Sequence, residues 1–137
     1  MRIYKKVYLD IINTLKANRV EAGGIIGSKD SQIVAFDFDR ACTVGEYVPD
    51  VVKLNIIIKK WYESGIEFAG IIHSHMDSKK LSYSDIDYAR NIIISNNLKW
   101  IYMPIYVNEN KELYVYKVSV DNNNTFVEEE YIDVRSK

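Results

Sequence analysis

The chain has 137 residues, 47% of them hydrophobic, which is enough for one globular domain (1–137) with a sizeable core. A net charge of −1 and a pI near 6.1 give no reason to invoke nucleic acid or an anionic membrane, since phosphate binding needs a basic surface. The single cysteine, Cys42, excludes an internal disulfide and suits a cytoplasmic setting, while Met1-Arg2-Ile3-Tyr4-Lys5-Lys6 lacks the apolar run of a secretory signal and no segment reaches the ~20 apolar residues of a spanning helix.

In chain order, Ile3, Val7, Ile11, Ile12 and Leu15 recur at helical spacing and predict an opening helix that ends at Asn18-Arg19. A small-residue strand follows over Gly23 to Gly27, placing Glu21 at a helix-to-strand junction, and residues 31 to 38 read as a second strand. Asp39 to Asp50 carries no clear pattern. Pro49-Asp50 then starts a helix whose inward stripe is Val51, Leu54, Ile58 and Trp61, closing at Ser64-Gly65. Residues 66 to 73 form a strand, Ser82 opens a third helix with Ile86, Ala89 and Ile93 inward, and Asn96-Asn97 end it. Strands over 99 to 107, 112 to 120 and 125 to 133 complete the chain, separated by the polar turns Asn108 to Lys111 and Asp121 to Asn124. Tyr102, Tyr106, Tyr114 and Tyr116 read as sheet packing, because a base-stacking platform would come with positive charge. The lysine pairs Lys5-Lys6, Lys59-Lys60 and Lys79-Lys80 read as solvated faces.

The chemistry concentrates in Gly70-Ile71-Ile72-His73-Ser74-His75, which holds both histidines of the chain, followed by Ser82-Tyr83-Ser84-Asp85. Strand alternation sends His73 and His75 to one face, where two neutral imidazoles reach one cation, and Asp85 supplies a carboxylate. Ser82 and Asp85 also form a capping-box-like helix start, a role compatible with the first because a capped helix aims its first turn. Upstream, a lone acid, Glu21, precedes Ala22-Gly23-Gly24-Ile25-Ile26-Gly27.

An early glutamate, then His-x-His, then Ser-x-x-Asp resembles the JAMM metalloprotease family, also called MPN+ or Mov34. The resemblance implies that His73, His75 and Asp85 are the ligands of one zinc ion per chain, that Glu21 is the general base, and that Ser82 stabilises the reacting carbonyl. Gly70 and Ala89 fall where that family has small residues. Two features depart from it: Met76 stands where the family has proline, and the stretch Met76 to Leu81 is one residue shorter than the family's spacing. The implied fold is an α/β, cytidine-deaminase-like (JAB/MPN) sandwich with a mixed central sheet flanked by helices.

Three protein ligands of N and O type leave zinc a position for water, and a carboxylate beside that water can move its proton, so the residues agree with hydrolysis. By resemblance, the substrate is an amide or isopeptide bond at the carboxyl terminus of a ubiquitin-like or sulfur-carrier-like protein, and Arg40 to Val48 is a candidate substrate-facing flap. From another class comes a scaffold of the same fold without catalysis, against which Glu21 and the filled ligand set argue. Zinc-dependent deamination is disfavoured because it recruits a Cys-x-x-Cys pair, which the sequence lacks. Cys42 as a nucleophile is a poor fit once both histidines are claimed by metal.

Overall fold

The structure is a computed structural model that describes residues 1–18, 21–39, 42–43, 46–47 and 51–136, with 42–43 and 46–47 described by backbone alone. Its elements in order are β1 (Arg2–Tyr4), α1 (Lys5–Lys16), β2 (Gly23–Lys29), β3 (Gln32–Asp39), β4 (Cys42–Thr43), β5 (Glu46–Tyr47), α2 (Val51–Glu63), β6 (Glu67–His75), α3 (Tyr83–Ser95), β7 (Trp100–Val107), β8 (Glu112–Asp121), β9 (Asn124–Glu130) and β10 (Asp133–Arg135). Eight strands form one mixed sheet in the order β10-β1-β3-β2-β6-β7-β8-β9, with β1 parallel to both β10 and β3, β6 parallel to β7, and the remaining pairs antiparallel.

Alternation along the strands gives the sheet two buried faces. On one, Ile11 and Leu15 of α1 pack with Ile3, Ile26, Ile72 and Tyr106. On the other, Leu54 of α2 and Ala89 and Ile93 of α3 pack with Ile25, Ile71 and Met103. Helices on both faces of a mixed sheet make the α/β sandwich expected from the sequence. Tyr106 and Tyr116 are buried as sheet packing, in line with the sequence reading.

The sheet also curls. β9 ends at Glu130 on one edge and β10 begins at Asp133 on the other, and the span between those two Cα atoms is at most about 11 Å. The two edges therefore approach each other, and Ile132 of the connection packs into the α1 side of the core. The amide of Asp133 donates to the Met1 carbonyl at 2.9 Å, and the Met1 amine donates to the Tyr131 carbonyl at 2.7 Å.

Several expectations need correction. Ile3 lies in β1 and not in the opening helix; its helical spacing to Val7 is real, but pairing with Ile33 and Val134 buries it as a strand residue. Val51 is 56% exposed and Leu54 alone of its stripe is fully buried, because α2 and α3 diverge around a groove of about 650 Å³ lined by Ile25, Val51, Ile58, Tyr88 and Ile92. The strand expected over 125 to 133 breaks at Tyr131-Ile132, where the chain crosses between the sheet edges. The segment without pattern contains a short antiparallel pair, Cys42 with Tyr47 and Thr43 with Glu46. The flap assigned to Arg40 to Val48 and the side chain of Cys42 otherwise lie outside the described residues.

Candidate metal centre

The expected strand at 66 to 73 runs on to His75, so both histidines are strand residues. Gly70 allows this: a Cβ there would overlap the Tyr102 carbonyl, so only glycine lets β6 lie this close to β7. Ile71 and His73 then share the face covered by α2 and α3, and His75 follows them at the strand end. This is the carboxyl end of parallel β6 and β7, next to the amino end of the helix that connects them, where α/β sheets place their sites.

α3 begins with a complete capping box. The Asp85 amide donates to Ser82 Oγ at 3.1 Å, and the Ser82 amide donates to Asp85 Oδ2 at 2.9 Å. The box locks the Asp85 carboxylate in the first helical turn, where the helix dipole also favours negative charge. From there Oδ1 lies 3.1 Å from His73 Nε2, and Oδ2 lies 3.4 Å from His75 Nε2. The two Nε2 atoms are 2.9 Å apart, with the rings edge-to-face.

The tautomer of His75 follows from its other nitrogen. Nδ1 lies 2.9 Å from the Ser78 carbonyl oxygen, which can only accept, so Nδ1 carries the proton and donates it. In neutral His75, therefore, Nε2 aims a lone pair into the cluster. Burial works to lower the His75 pKa, but the hydrogen bonds to Asp85 and Ser78 and the negative charges of Asp85 and Glu21 prevail and raise it. Burial would raise the Asp85 carboxyl, yet the bonds from His73 and His75 and the Ser82 amide hold it far below the usual carboxylate range. Both shifts record one demand: the cluster calls for positive charge at its centre.

A metal ion meets that demand. Ligand atoms about 2.0–2.1 Å from a tetrahedral zinc are about 3.3 Å from each other. Distances of 2.9, 3.1 and 3.4 Å among the two imidazole nitrogens and the carboxylate fit this spacing with small adjustments. Among the described residues, His73, His75 and Asp85 are the group able to hold a metal in this way.

Glu21 lies just ahead of β2, half-buried. The register pairs Gly23 with His73, and the Ser74 amide donates to the Ala22 carbonyl at 2.7 Å, so Glu21 enters β2 on the His75 side of the last ladder pair. Its charge is felt at His75. Ser82 is exposed; its oxygen accepts in the cap, which leaves its hydroxyl proton available to donate.

The shortened stretch after His75 is pinned from several sides, and these supports are not legible as motifs. Ser78 turns its carbonyl back onto His75, Asn108 donates to the His75 carbonyl through its amide at 2.9 Å and through Nδ2 at 3.1 Å, and the Glu109 amide donates to the Met76 carbonyl. The Tyr116 hydroxyl donates to the Lys79 carbonyl. Asn108 reads in sequence as a turn residue and Tyr116 as packing; their second role appears only when β7 and β8 come alongside the loop.

The same fold occurs in solved structures. The chain is similar to the solution structure of a protein from Desulfitobacterium hafniense, with a TM-score of 0.73 and 16% identity over 100% of this chain and 94% of that one. It is similar to a JAB1/MPN domain protein from Archaeoglobus fulgidus, with a TM-score of 0.57 and 16% identity over 98% of each chain. A third similar structure is one described as JAMM, a metalloprotease-like zinc site in the proteasome and signalosome, with a TM-score of 0.55 and 16% identity over 99% of this chain and 98% of that one. No protein-family model and no curated protein sequence matches the chain. At this identity the likeness is one of fold, and the fold is that of JAB/MPN domains.

Proposed function

We propose that the chain is a zinc-dependent amide hydrolase, a metallopeptidase or isopeptidase of the JAMM type. The observation that carries the reading is the convergence of His73 Nε2, His75 Nε2 and the Asp85 carboxylate on one point, with the charge of Glu21 acting on His75. When bound, zinc would supply Lewis acidity and an acidified water at the position the three protein ligands leave open.

The chain's own residues supply the rest. Asp85, held by the capping box, and His75, held by Ser78, are set in place before any ligand arrives, so little ordering remains at the moment of binding. Glu21 takes a proton from the attacking water and delivers it to the leaving amine nitrogen. The Ser82 hydroxyl donates to the oxygen of the scissile carbonyl as negative charge develops there.

For substrate we propose the amide bond after the carboxyl-terminal tail of a small ubiquitin-like or sulfur-carrier-like protein, a reading supported by the sequence pattern and by the fold shared with JAB1/MPN proteins. Neither nucleic acid nor a membrane is proposed as a partner: the net charge is −1, and among the described residues no helix is long and apolar enough to cross a membrane. The single cysteine fits a cytoplasmic location.

The test combines elemental analysis with cleavage of a fluorogenic amide placed at the carboxyl terminus of such carriers. About one zinc per chain is expected, and Glu21→Gln should keep the zinc and lose ~10²–10⁴-fold in turnover. Full turnover in Glu21→Gln would remove the general-base assignment. A chain that binds no zinc even after mild reconstitution would instead be a scaffold of this fold.

A further inference from the structure

Between the two histidines sits Ser74, whose side chain points to the opposite face of the sheet, toward α1, and is 0% exposed. In a regular antiparallel pair of this kind, two residues exchange two backbone bonds. Ser74 makes only half of that exchange through its backbone, donating from its amide to the Ala22 carbonyl at 2.7 Å. The Ala22 amide donates not to a backbone carbonyl but to Ser74 Oγ, at 2.9 Å. The hydroxyl proton in turn points to the Ala22 carbonyl at 3.3 Å. Both polar groups of Ala22 are thus satisfied by one serine, and regular β2 starts only at Gly23. Glu21 hangs on the peptide bond whose nitrogen Ser74 holds.

We infer that Ser74 is a positioning residue for Glu21, its hydroxyl replacing a ladder bond and thereby fixing where the Glu21 carboxylate stands relative to His75. The inference rests on the proposed reading of Glu21 as the proton-moving group. Ser74 cannot act as a metal ligand, because its side chain lies on the other side of the sheet. Without the hydroxyl, the Ala22 amide is a buried donor with no acceptor, and the Glu21–Ala22 peptide turns to find one. Such a turn displaces Glu21 while leaving the three metal-binding side chains, which are held by β6 and α3, in place.

The test uses the full chain loaded with cobalt(II) in place of zinc, and reads cobalt content and the pH midpoint of the visible absorption band. Wild type, Ser74→Ala, Ser74→Thr, Glu21→Gln and the double variant Ser74→Ala/Glu21→Gln should each hold one cobalt. Removing the Glu21 charge beside the metal should move the midpoint to lower pH. Ser74→Ala should move it in the same direction by part of that amount, Ser74→Thr should restore it, and the double variant should match Glu21→Gln, since Ser74 acts through Glu21. A wild-type midpoint in Ser74→Ala together with a shifted one in Glu21→Gln overturns the positioning role, as does an additive double variant. An unmoved midpoint in Glu21→Gln overturns the role of Glu21 itself. If Ser74→Ala does not fold, Ser74→Cys makes the same comparison with a weaker hydrogen-bonding group of similar size, and an intermediate shift is expected.

Discussion

The two ends of β6 differ in a way that separates space from chemistry. At its amino end lies a cavity of about 810 Å³ bordered by Lys29, Asp30, Glu67, Lys99, Trp100 and Tyr102. It is roomy and carries four charged groups, Lys29, Asp30, Glu67 and Lys99. Yet those groups stand exposed in water, and its aromatic residues are occupied with each other and with lysine: Trp100 lies edge-to-face with Tyr102 at 4.8 Å, and Lys117 Nζ sits 4.4 Å from the Trp100 ring centre. At the carboxyl end, two imidazoles and a carboxylate are partly or fully buried, His75 is oriented by the Ser78 carbonyl and Asp85 by the capping box. Reactivity depends on polar atoms that converge and cannot relax apart, and only the carboxyl end provides them.

The largest expected effect sharpens this contrast directly. His73→Ala or Asp85→Ala should lower bound zinc from near one per chain to near zero in elemental analysis, while Lys29→Ala and Lys99→Ala should leave it unchanged. Loss of zinc in the lysine variants would break the comparison.

Next in size is Ser82→Ala, which should lower turnover on the order of 10²-fold if its hydroxyl donates to the developing oxyanion. Because the same oxygen caps α3, thermal or denaturant unfolding should also show a loss of about 1 kcal/mol. A stability loss with unchanged turnover would assign Ser82 to the cap alone.

The pH dependence of stability gives a smaller effect with a definite sign. His75 is held above its ordinary value of 6.5, so its contribution is complete below pH 6.5 and is lost as pH rises through the raised value. Asp85 is held below its ordinary value of 3.8, so its contribution is present above pH 3.8 and is lost as pH falls toward the depressed value. Metal-stripped protein should therefore be stabilised by this cluster most between pH 3.8 and 6.5, and should lose Tm above that window. With saturating zinc the slope above pH 6.5 should reverse, because metal competes with protons for the same nitrogens. Parallel Tm curves with and without zinc would argue against a shared site.

Smallest is Trp100→Ala at the other end of β6. Loss of the lysine and tyrosine contacts should cost about 0.5–1 kcal/mol beyond the lost burial, read by denaturant unfolding, with zinc content untouched.

How much of the molecule is legible in its sequence depends on whether the cause is local. Alternation places His73 and His75 together, and Ser82 with Asp85 announces both a helix start and a carboxylate in its first turn, so residue spacing alone brings out the metal group. The α/β order is equally local, since α1, α2 and α3 each carry an apolar stripe. What escapes is set by distant partners. Ile3 looks helical until β10 arrives to pair with β1, and Tyr131-Ile132 looks like strand until the sheet curls. Ser74 reads as filler between two histidines, and only the register of β2 on β6 reveals its hold on Ala22. Asn108, in the turn after β7, and Tyr116 of β8 steady the loop after His75 from positions that follow it in the chain. In each case the deciding contact spans more residues than periodicity can see.

The pairing of β1 with β10 bears on how the chain is made. Arg2 to Tyr4 are synthesised first among the strands, and their partner Asp133 to Arg135 last. At ribosomal speeds of about 5–20 residues per second, the β1 edge waits on the order of ten seconds for its neighbour. Throughout that interval the nascent sheet has an open side, and α1 covers a core whose rim is unfinished. That side closes only when residues 131 to 135 emerge and draw the two edges together.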